Sequence, residues 1–161
     1  MMGTKLAVDG PCEESWYLAG HAELICSSYR HWFGEELITP GEWGALGRAL
    51  YDAPFAVVSH GVGSDPVFTY GNRLALGLFG YSWPAFTTLR SRMSAGPEAQ
   101  DGREALLKVV ARDGFITGYR GVRVASDGRR FSIGEVKIWN LIGADGLGRG
   151  QAAAFSSWEF L

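Results

Sequence analysis

Three histidines, two cysteines and a group of arginines are the side chains here that can do chemistry, and their spacing decides which chemistry. His21, Cys26 and His31 follow one another at intervals of five, which spreads them around a helix axis, whereas metal ligands on one helix align at i, i+4. No metal site follows from them. His60 closes an apolar run beside Gly61-Val62-Gly63-Ser64, where it can be a polar strand end, the simpler reading, or an imidazole that senses pH near neutrality. The glycines beside it are no phosphate loop, since they precede a strand and lack the Lys-Ser/Thr pair such a loop needs. Arg120, Arg123, Arg129 and Arg130 flank Asp127-Gly128 and can grip carboxylates bidentately. Charges that keep a sheet edge from aggregating account for them more simply. No Ser-His-Asp or Cys-His set can be read from residue order, because such sets are recognised by geometry. No catalytic residue is assigned, and the chain is not expected to be an enzyme.

Composition narrows the classes these residues can serve. The 161 residues are 47% hydrophobic and 13% aromatic with 20% charged, which is enough to bury one sizeable core and too apolar for disorder. A formal net charge of -2 gives no electrostatic reason to expect nucleic acid or an anionic membrane as partner. No apolar stretch is long enough to span a bilayer, and Met1 to Gly10 lacks the layout of a signal peptide. Cys12 and Cys26 are too few for a disulfide scaffold and suit a reducing compartment, so the expected setting is cytoplasmic.

The elements that must position these groups follow from periodicity. From Glu13 to about Phe33, Leu18, Ala22, Ile25, Tyr29 and Trp32 recur at helical spacing, with Gly20, Glu23, Ser27 and Arg30 opposite. This predicts an amphipathic helix ending near Gly34, whose band is widened by Trp16, Tyr17, Leu24 and Phe33. Pro40-Gly41 punctuates the link to a shorter helix, Trp43 to Tyr51. Phe55 to His60 and Val67 to Tyr70 read as strands joined by a loose tip. Asn72 is placed as the N-cap of a helix beginning at Arg73 and stopped by Gly80, and Ser82 caps a further turn through Phe86. After an irregular stretch, Arg90 to Gly102, a helix covers Arg103 to Arg112. Asp127-Gly128 and Asp145-Gly146 divide the remainder into three β runs, Ile116 to Ala125, Arg129 to Ile142 and Leu147 to Trp158, because Asp-Gly supplies the positive φ angles of two-residue hairpins.

The sum is an α+β fold: a five-stranded antiparallel sheet with helices across one face, preceded by an N-terminal helical arm. The expected division is a flexible N-terminus over residues 1–12, the arm over 13–52 and one domain over 53–161. This order resembles the PAS fold, through Phe55-Ala56-Val57-Val58, Phe68-Thr69-Tyr70-Gly71-Asn72-Arg73 and Leu78-Phe79-Gly80-Tyr81-Ser82. Within PAS-like proteins the chain resembles the MEKHLA domain family, through Ser28-Tyr29-Arg30, Gly71-Asn72-Arg73, Gly121-Val122-Arg123, Gly128-Arg129-Arg130-Phe131, Trp139-Asn140-Leu141 and Gly150-Gln151-Ala152-Ala153.

That resemblance implies a non-catalytic sensory or signalling module that binds a small molecule between sheet and helices and passes a signal to a separate output protein. The alternative is a protein-interaction or homodimerisation module with a closed core. Side chains two apart share a strand face, so Gln151, Ala153, Phe155 and Ser157 oppose Ala152, Ala154, Ser156 and Trp158. In PAS domains the set containing the equivalent of Phe155 turns inward. The expected pocket is therefore lined by Tyr70, Asn72, Phe79, Trp139, Gln151, Ala153 and Phe155. The resemblance argues against covalent flavin, because neither cysteine lies on the helix before the last strands and Phe155 stands where flavin-binding relatives carry glutamine. It argues against haem too, because the helix Arg103 to Arg112 has no histidine. Leu18, Ala22, Ile25, Tyr29, Trp32 and Phe33 of the arm either cap the chain's own sheet or pair two copies, and a homodimer is the expected assembly.

Overall fold

The computed structural model describes residues 10–39, 45–96 and 99–161. Strands β1 (Ala56–His60), β2 (Phe68–Gly71), β3 (Phe115–Val124), β4 (Arg130–Ile142) and β5 (Gly148–Phe155) form one sheet in the order β2-β1-β5-β4-β3. Every neighbouring pair is antiparallel, and a short β6 (Ser157–Phe160) continues alongside β4 beyond the end of β5. The helices are α1 (Ala19–Phe33), α2 (Ala45–Tyr51), α3 (Arg73–Phe79), α4 (Trp83–Phe86) and α5 (Gln100–Asp113). The stretch expected to be irregular contains a 3₁₀ turn, Ser91–Ser94, and α5 starts three residues before Arg103. Residues 1–9 of the N-terminus expected to be flexible, Pro40-Gly41 and the start expected for the second helix, Trp43-Gly44, lie outside the described residues.

The closing meander forms as its turns dictate, with one difference. Both loops hold three residues, since Ala125 pairs with Arg129 and Gly143 with Leu147. Gly128 and Gly146 alone take positive φ, 87° and 81°, while each preceding aspartate accepts the backbone N–H two residues on. Glycine closes a turn begun in the right-handed region, a common three-residue hairpin.

A bulge changes how the sheet presents its side chains. Glu135 sits at φ 53°, and between Tyr119↔Val136 and Gly121↔Ile133 the β4 strand holds one residue more than β3. The extra residue shifts the alternation, so Phe131 and Ile133 share a face with Val136 and Ile138. Ser156 does the same on the other side by ending β5. The run expected to reach Trp158 unbroken is thus two strands. Trp158 pairs with Ile133 and packs edge-on against Phe155 at 6.5 Å, on the face opposite to the one its spacing implied.

The arm begins differently from its periodicity. Tyr17 and Leu18 both lie at φ 51°, so a 3₁₀ turn over Glu13–Leu18 precedes the α-helix. Gly34 ends it at φ 70°, donating its N–H to the Arg30 carbonyl. The helix lies across the sheet of its own chain. Trp32 Nε1 donates to the Asn140 carbonyl at 2.9 Å, Trp139 Nε1 to the Ile25 carbonyl at 3.3 Å, and Ile142 N–H to Ser28 Oγ at 2.9 Å. Lys137 Nζ meets Tyr29 Oη at 2.9 Å and Glu35 at 3.2 Å. Ala22, Ile25 and Tyr29 are buried, with Leu18, Trp32 and Phe33 packed against the same core. Of the two roles open to the stripe, capping its own sheet or pairing two copies, the structure shows the first, because a continuous apolar sheet face lies within reach of it.

Asn72 joins three elements. Its Oδ1 accepts from Ala75 N–H at 3.1 Å, capping α3, and from Val57 N–H at 3.0 Å; its Nδ2 donates to the Leu50 and Phe55 carbonyls at 3.2 and 2.8 Å. The side chain is fully buried and uses all four of its hydrogen-bonding positions.

Candidate ligand site

The two sheet faces serve different cores. Trp139 pairs with Ala152, and Ser59 pairs with both Ala152 and Tyr70, so these side chains share the face that meets the arm. On the other face Phe68, Phe131, Ile133, Val136, Ile138 and Phe155 pack with Phe79 of α3 and Val110 of α5. Between that second face and the helices lies a cavity of about 60 Å³ whose walls include Phe79, Ile133, Val136, Ile138, Ala153 and Phe155. A groove of about 780 Å³ opens beside it, under the β1–β2 tip and along α5. His60, Arg103, Leu107 and Gln151 line both. They stand between the two spaces and form a shared mouth, while Arg123 borders only the cavity.

The mouth is polar and strongly desolvated. Arg103 and Arg123 are each only 8% exposed. Arg103 donates to Ser91 Oγ; Arg123 donates to the Val122 carbonyl at 2.9 Å and reaches the Tyr119 hydroxyl at 3.4 Å. Gly121 leaves the room for this pair, since a Cβ there would collide with the Tyr119 hydroxyl. Burial, helped by the Arg123 charge, brings the Arg103 guanidinium down to about 10, so it stays a cation at neutral pH. His60 Nδ1 is held by the Gly61 carbonyl at 2.9 Å, while its Nε2 is buried with no hydrogen-bond partner. Burial lowers the imidazole pKa and the Arg103 charge adds to this, opposed by the Gly61 carbonyl and by Gln151. Gln151 instead donates to the Leu107 carbonyl at 3.2 Å and to Asn140 Oδ1 at 3.1 Å.

Of the seven pocket residues expected from sequence, Phe79, Gln151, Ala153 and Phe155 border the cavity. Tyr70 and Trp139 do not: strand register turns both toward the arm. There Tyr70 packs against His21 and Trp83, with ring centroids 5.6 and 5.7 Å away, and its buried hydroxyl has no partner. Asn72 is outside the lining as well, held by its own four hydrogen bonds. In the sequence Arg103 stands out only as a helix start. By sequence Arg123 falls among solvated hairpin arginines and His60 among polar strand ends, whereas the structure buries both groups beside the cavity. The signal for Arg123 is its hairpin register opposite Phe131, which puts it on the cavity face; nothing local marks Arg103. Neither cysteine borders the cavity, and burial pushes the Cys26 thiol up to about 12, far from a reactive thiolate. Among the described residues no cluster of His, Cys, Asp and Glu is arranged to hold a metal ion.

An antiparallel sheet in this strand order, with short helices and one long helix enclosing a cavity against one face, defines a PAS-like domain. The PAS domain of a protein from Colwellia psychrerythraea superposes with a TM-score of 0.58 at 16% identity, over 71% of this chain and 92% of that one. An RNA-binding light-oxygen-voltage receptor gives 0.59 at 17%, over 74% and 36%, and the light-oxygen-voltage domain of the photoreceptor Aureochrome1 gives 0.53 at 21%, over 76% and 87%. At these identities the likeness concerns the fold. The MEKHLA domain model matches residues 19–160, so the chain belongs to the MEKHLA domain family, arm included. Relatives in rice, Oryza sativa subsp. japonica, are the homeobox-leucine zipper protein HOX9, 29% identical over 145 residues and 87% of this chain, and HOX29, 26% identical over 142 residues and 85%. The chain spans 17% and 16% of the length of those two proteins. Among the described residues no helix is long and apolar enough to cross a membrane.

Proposed function

We propose that the chain is a sensory or signalling module, without catalysis of its own, that takes a small molecule through the groove into the cavity and reports its occupancy to a separate protein. The observation supporting this is the shared mouth: His60, Arg103 and Gln151 belong to both spaces, and a filled apolar core has no use for such groups. A route for the report exists in β5. Gln151, Ala153 and Phe155 face the cavity side while Ala152 and Ala154 pack in the arm-side core, so a ligand that shifts this strand disturbs both faces at once. That the similar segment of HOX9 and HOX29 is a small part of a longer protein fits a module that acts through something else. A cytoplasmic setting goes with this reading.

A second reading, an interaction or homodimerisation module with a closed core, is favoured by the cavity's size. About 60 Å³ is well under the roughly 300–1,000 Å³ of sites for drug-sized ligands. In that case β6, with exposed Trp158 and Phe160 followed by Leu161, is the surface that pairs. Native mass spectrometry and an absorption scan of freshly purified protein, run beside size-exclusion chromatography, separate the two. A bound mass lost on denaturation supports the sensor. A bare chain that elutes as a dimer, and as a monomer once Trp158→Arg is introduced, replaces it with the second reading.

A further inference from the structure

We propose that the ligand is a small organic carboxylate with a short apolar body, its anionic end gripped by Arg103 at the cavity mouth and by Arg123 on the cavity wall. This rests on the cavity being the ligand site and names what the site takes.

The arginines of this chain are paired in an inverted way. Solvent-exposed Arg30, Arg73, Arg112, Arg129 and Arg149 each have a carboxylate partner at hydrogen-bond distance. The two buried ones make no ion pair with any Asp or Glu among the described residues. The carboxylates whose charge reaches Arg103, Asp65 and Glu104, are engaged elsewhere: Asp65 with Arg90 and Arg92, Glu104 with Lys108. A buried charge is costly without a counter-charge, and the cavity wall holds two buried guanidiniums, the Arg123 charge adding to the cost of burying Arg103. A carboxylate fits it: its two oxygens match the planar fork of an arginine, and its single charge suits a mouth that remains cationic at neutral pH.

The remaining walls set the rest of the molecule. Phe79, Ile133, Val136, Ile138 and Phe155 around about 60 Å³ accept a short aliphatic group and exclude a fused ring system. Larger substituents have the groove. The orphan Nε2 of His60 presents a lone pair at the same mouth, where a hydroxyl or N–H of the ligand, or a water carried with it, supplies the missing donor.

Titration calorimetry of the full chain with hexanoate, with hexanamide and with inorganic phosphate tests this. Hexanamide has the same body and shape without the charge; phosphate has charge without the body. Hexanoate is expected to bind at least about tenfold tighter than either. In Arg103→Gln the preference for hexanoate over hexanamide falls to near unity, Arg123→Gln reduces it, and Arg103→Lys restores part of it. The wild-type comparison stands even where a variant does not fold. Equal or tighter binding of hexanamide overturns the carboxylate assignment and leaves the cavity as a ligand site; phosphate binding as well as hexanoate overturns the apolar body. A preference undiminished in Arg103→Gln overturns the role given to that residue. Failure of all three probes, with a bare native mass, overturns this proposal together with the reading it rests on.

Discussion

Removing the buried cation at the cavity mouth should make the protein more stable while costing it its ligand. The perturbation is the double change Arg103→Met with Ser91→Ala, which deletes the guanidinium together with the hydroxyl it donates to, so that no buried polar group is left behind. The fall of the Arg103 pKa from 12.5 to about 10 corresponds to roughly 3 kcal/mol of penalty on the protonated form. The sign follows from linkage: a base whose folded-state pKa is depressed bears its full penalty below that pKa, here throughout neutral pH, and is relieved as pH rises from about 10 toward 12.5. Against this stands one lost hydrogen bond, about 1 kcal/mol, while the methionine keeps most of the buried aliphatic contact. The net gain is about 2 kcal/mol, or roughly 4–8 °C in thermal midpoint for a domain of this size. Thermal unfolding in a buffer free of carboxylates and phosphate reads it directly, since a bound anion would itself stabilise the wild type. A variant less stable than wild type under those conditions would refute the claim that Arg103 is an uncompensated charge, and with it the reason for expecting an anionic ligand.

Other consequences concern the frame around the site. Asn72→Ala removes a helix cap, about 1 kcal/mol, and strips hydrogen bonds from Val57 N–H and from the Leu50 and Phe55 carbonyls; a total loss of about 4 kcal/mol is expected by urea unfolding, and a loss under about 1 kcal/mol would show that the staple is dispensable. Burial lowers the pKa of both His21 and His60 from 6.5, so the unfolded chain takes up protons first and stability falls as pH drops from about 6.5 toward 5. Glu35, with a lowered pKa from 4.5, acts only further down. The slope between pH 5 and 6.5 should therefore flatten in His60→Gln, and an unchanged slope would assign it elsewhere. Gly150→Ala places a Cβ against the His60 carbonyl at φ 125°, forcing β1 and β5 apart, and is expected to cost upwards of about 2 kcal/mol. Gly77→Ala, with open space around it inside α3, should be neutral or mildly stabilising in the same denaturation assay.

Much of the frame is legible along the chain because it is dictated locally. The caps at Asn72 and Ser82 accept backbone N–H groups three residues on, as their side chains require at a helix start. The Asp-Gly pairs turn the meander because glycine takes the closing backbone angle without steric cost, and the arm's apolar stripe shows that one helix face must be covered. These are consequences of residue type and period, which act over a few residues.

What the tertiary structure decided is everything that depends on counting across strands or on what lies overhead. The bulge at Glu135 and the break at Ser156 each reverse the alternation, so face assignments drawn from spacing alone fail beyond them, as they do for Trp158. Register, not residue type, sends Trp139 to the arm and Arg123 to the cavity. The arm could have covered a second copy as readily as its own sheet until the chain reversals brought Trp139, Asn140 and Ile142 beneath it. An arginine is solvated or stranded according to what packs over it; Arg103 and Arg123, twenty residues apart on a helix and a strand, come to line one cavity only when the sheet folds beneath α5.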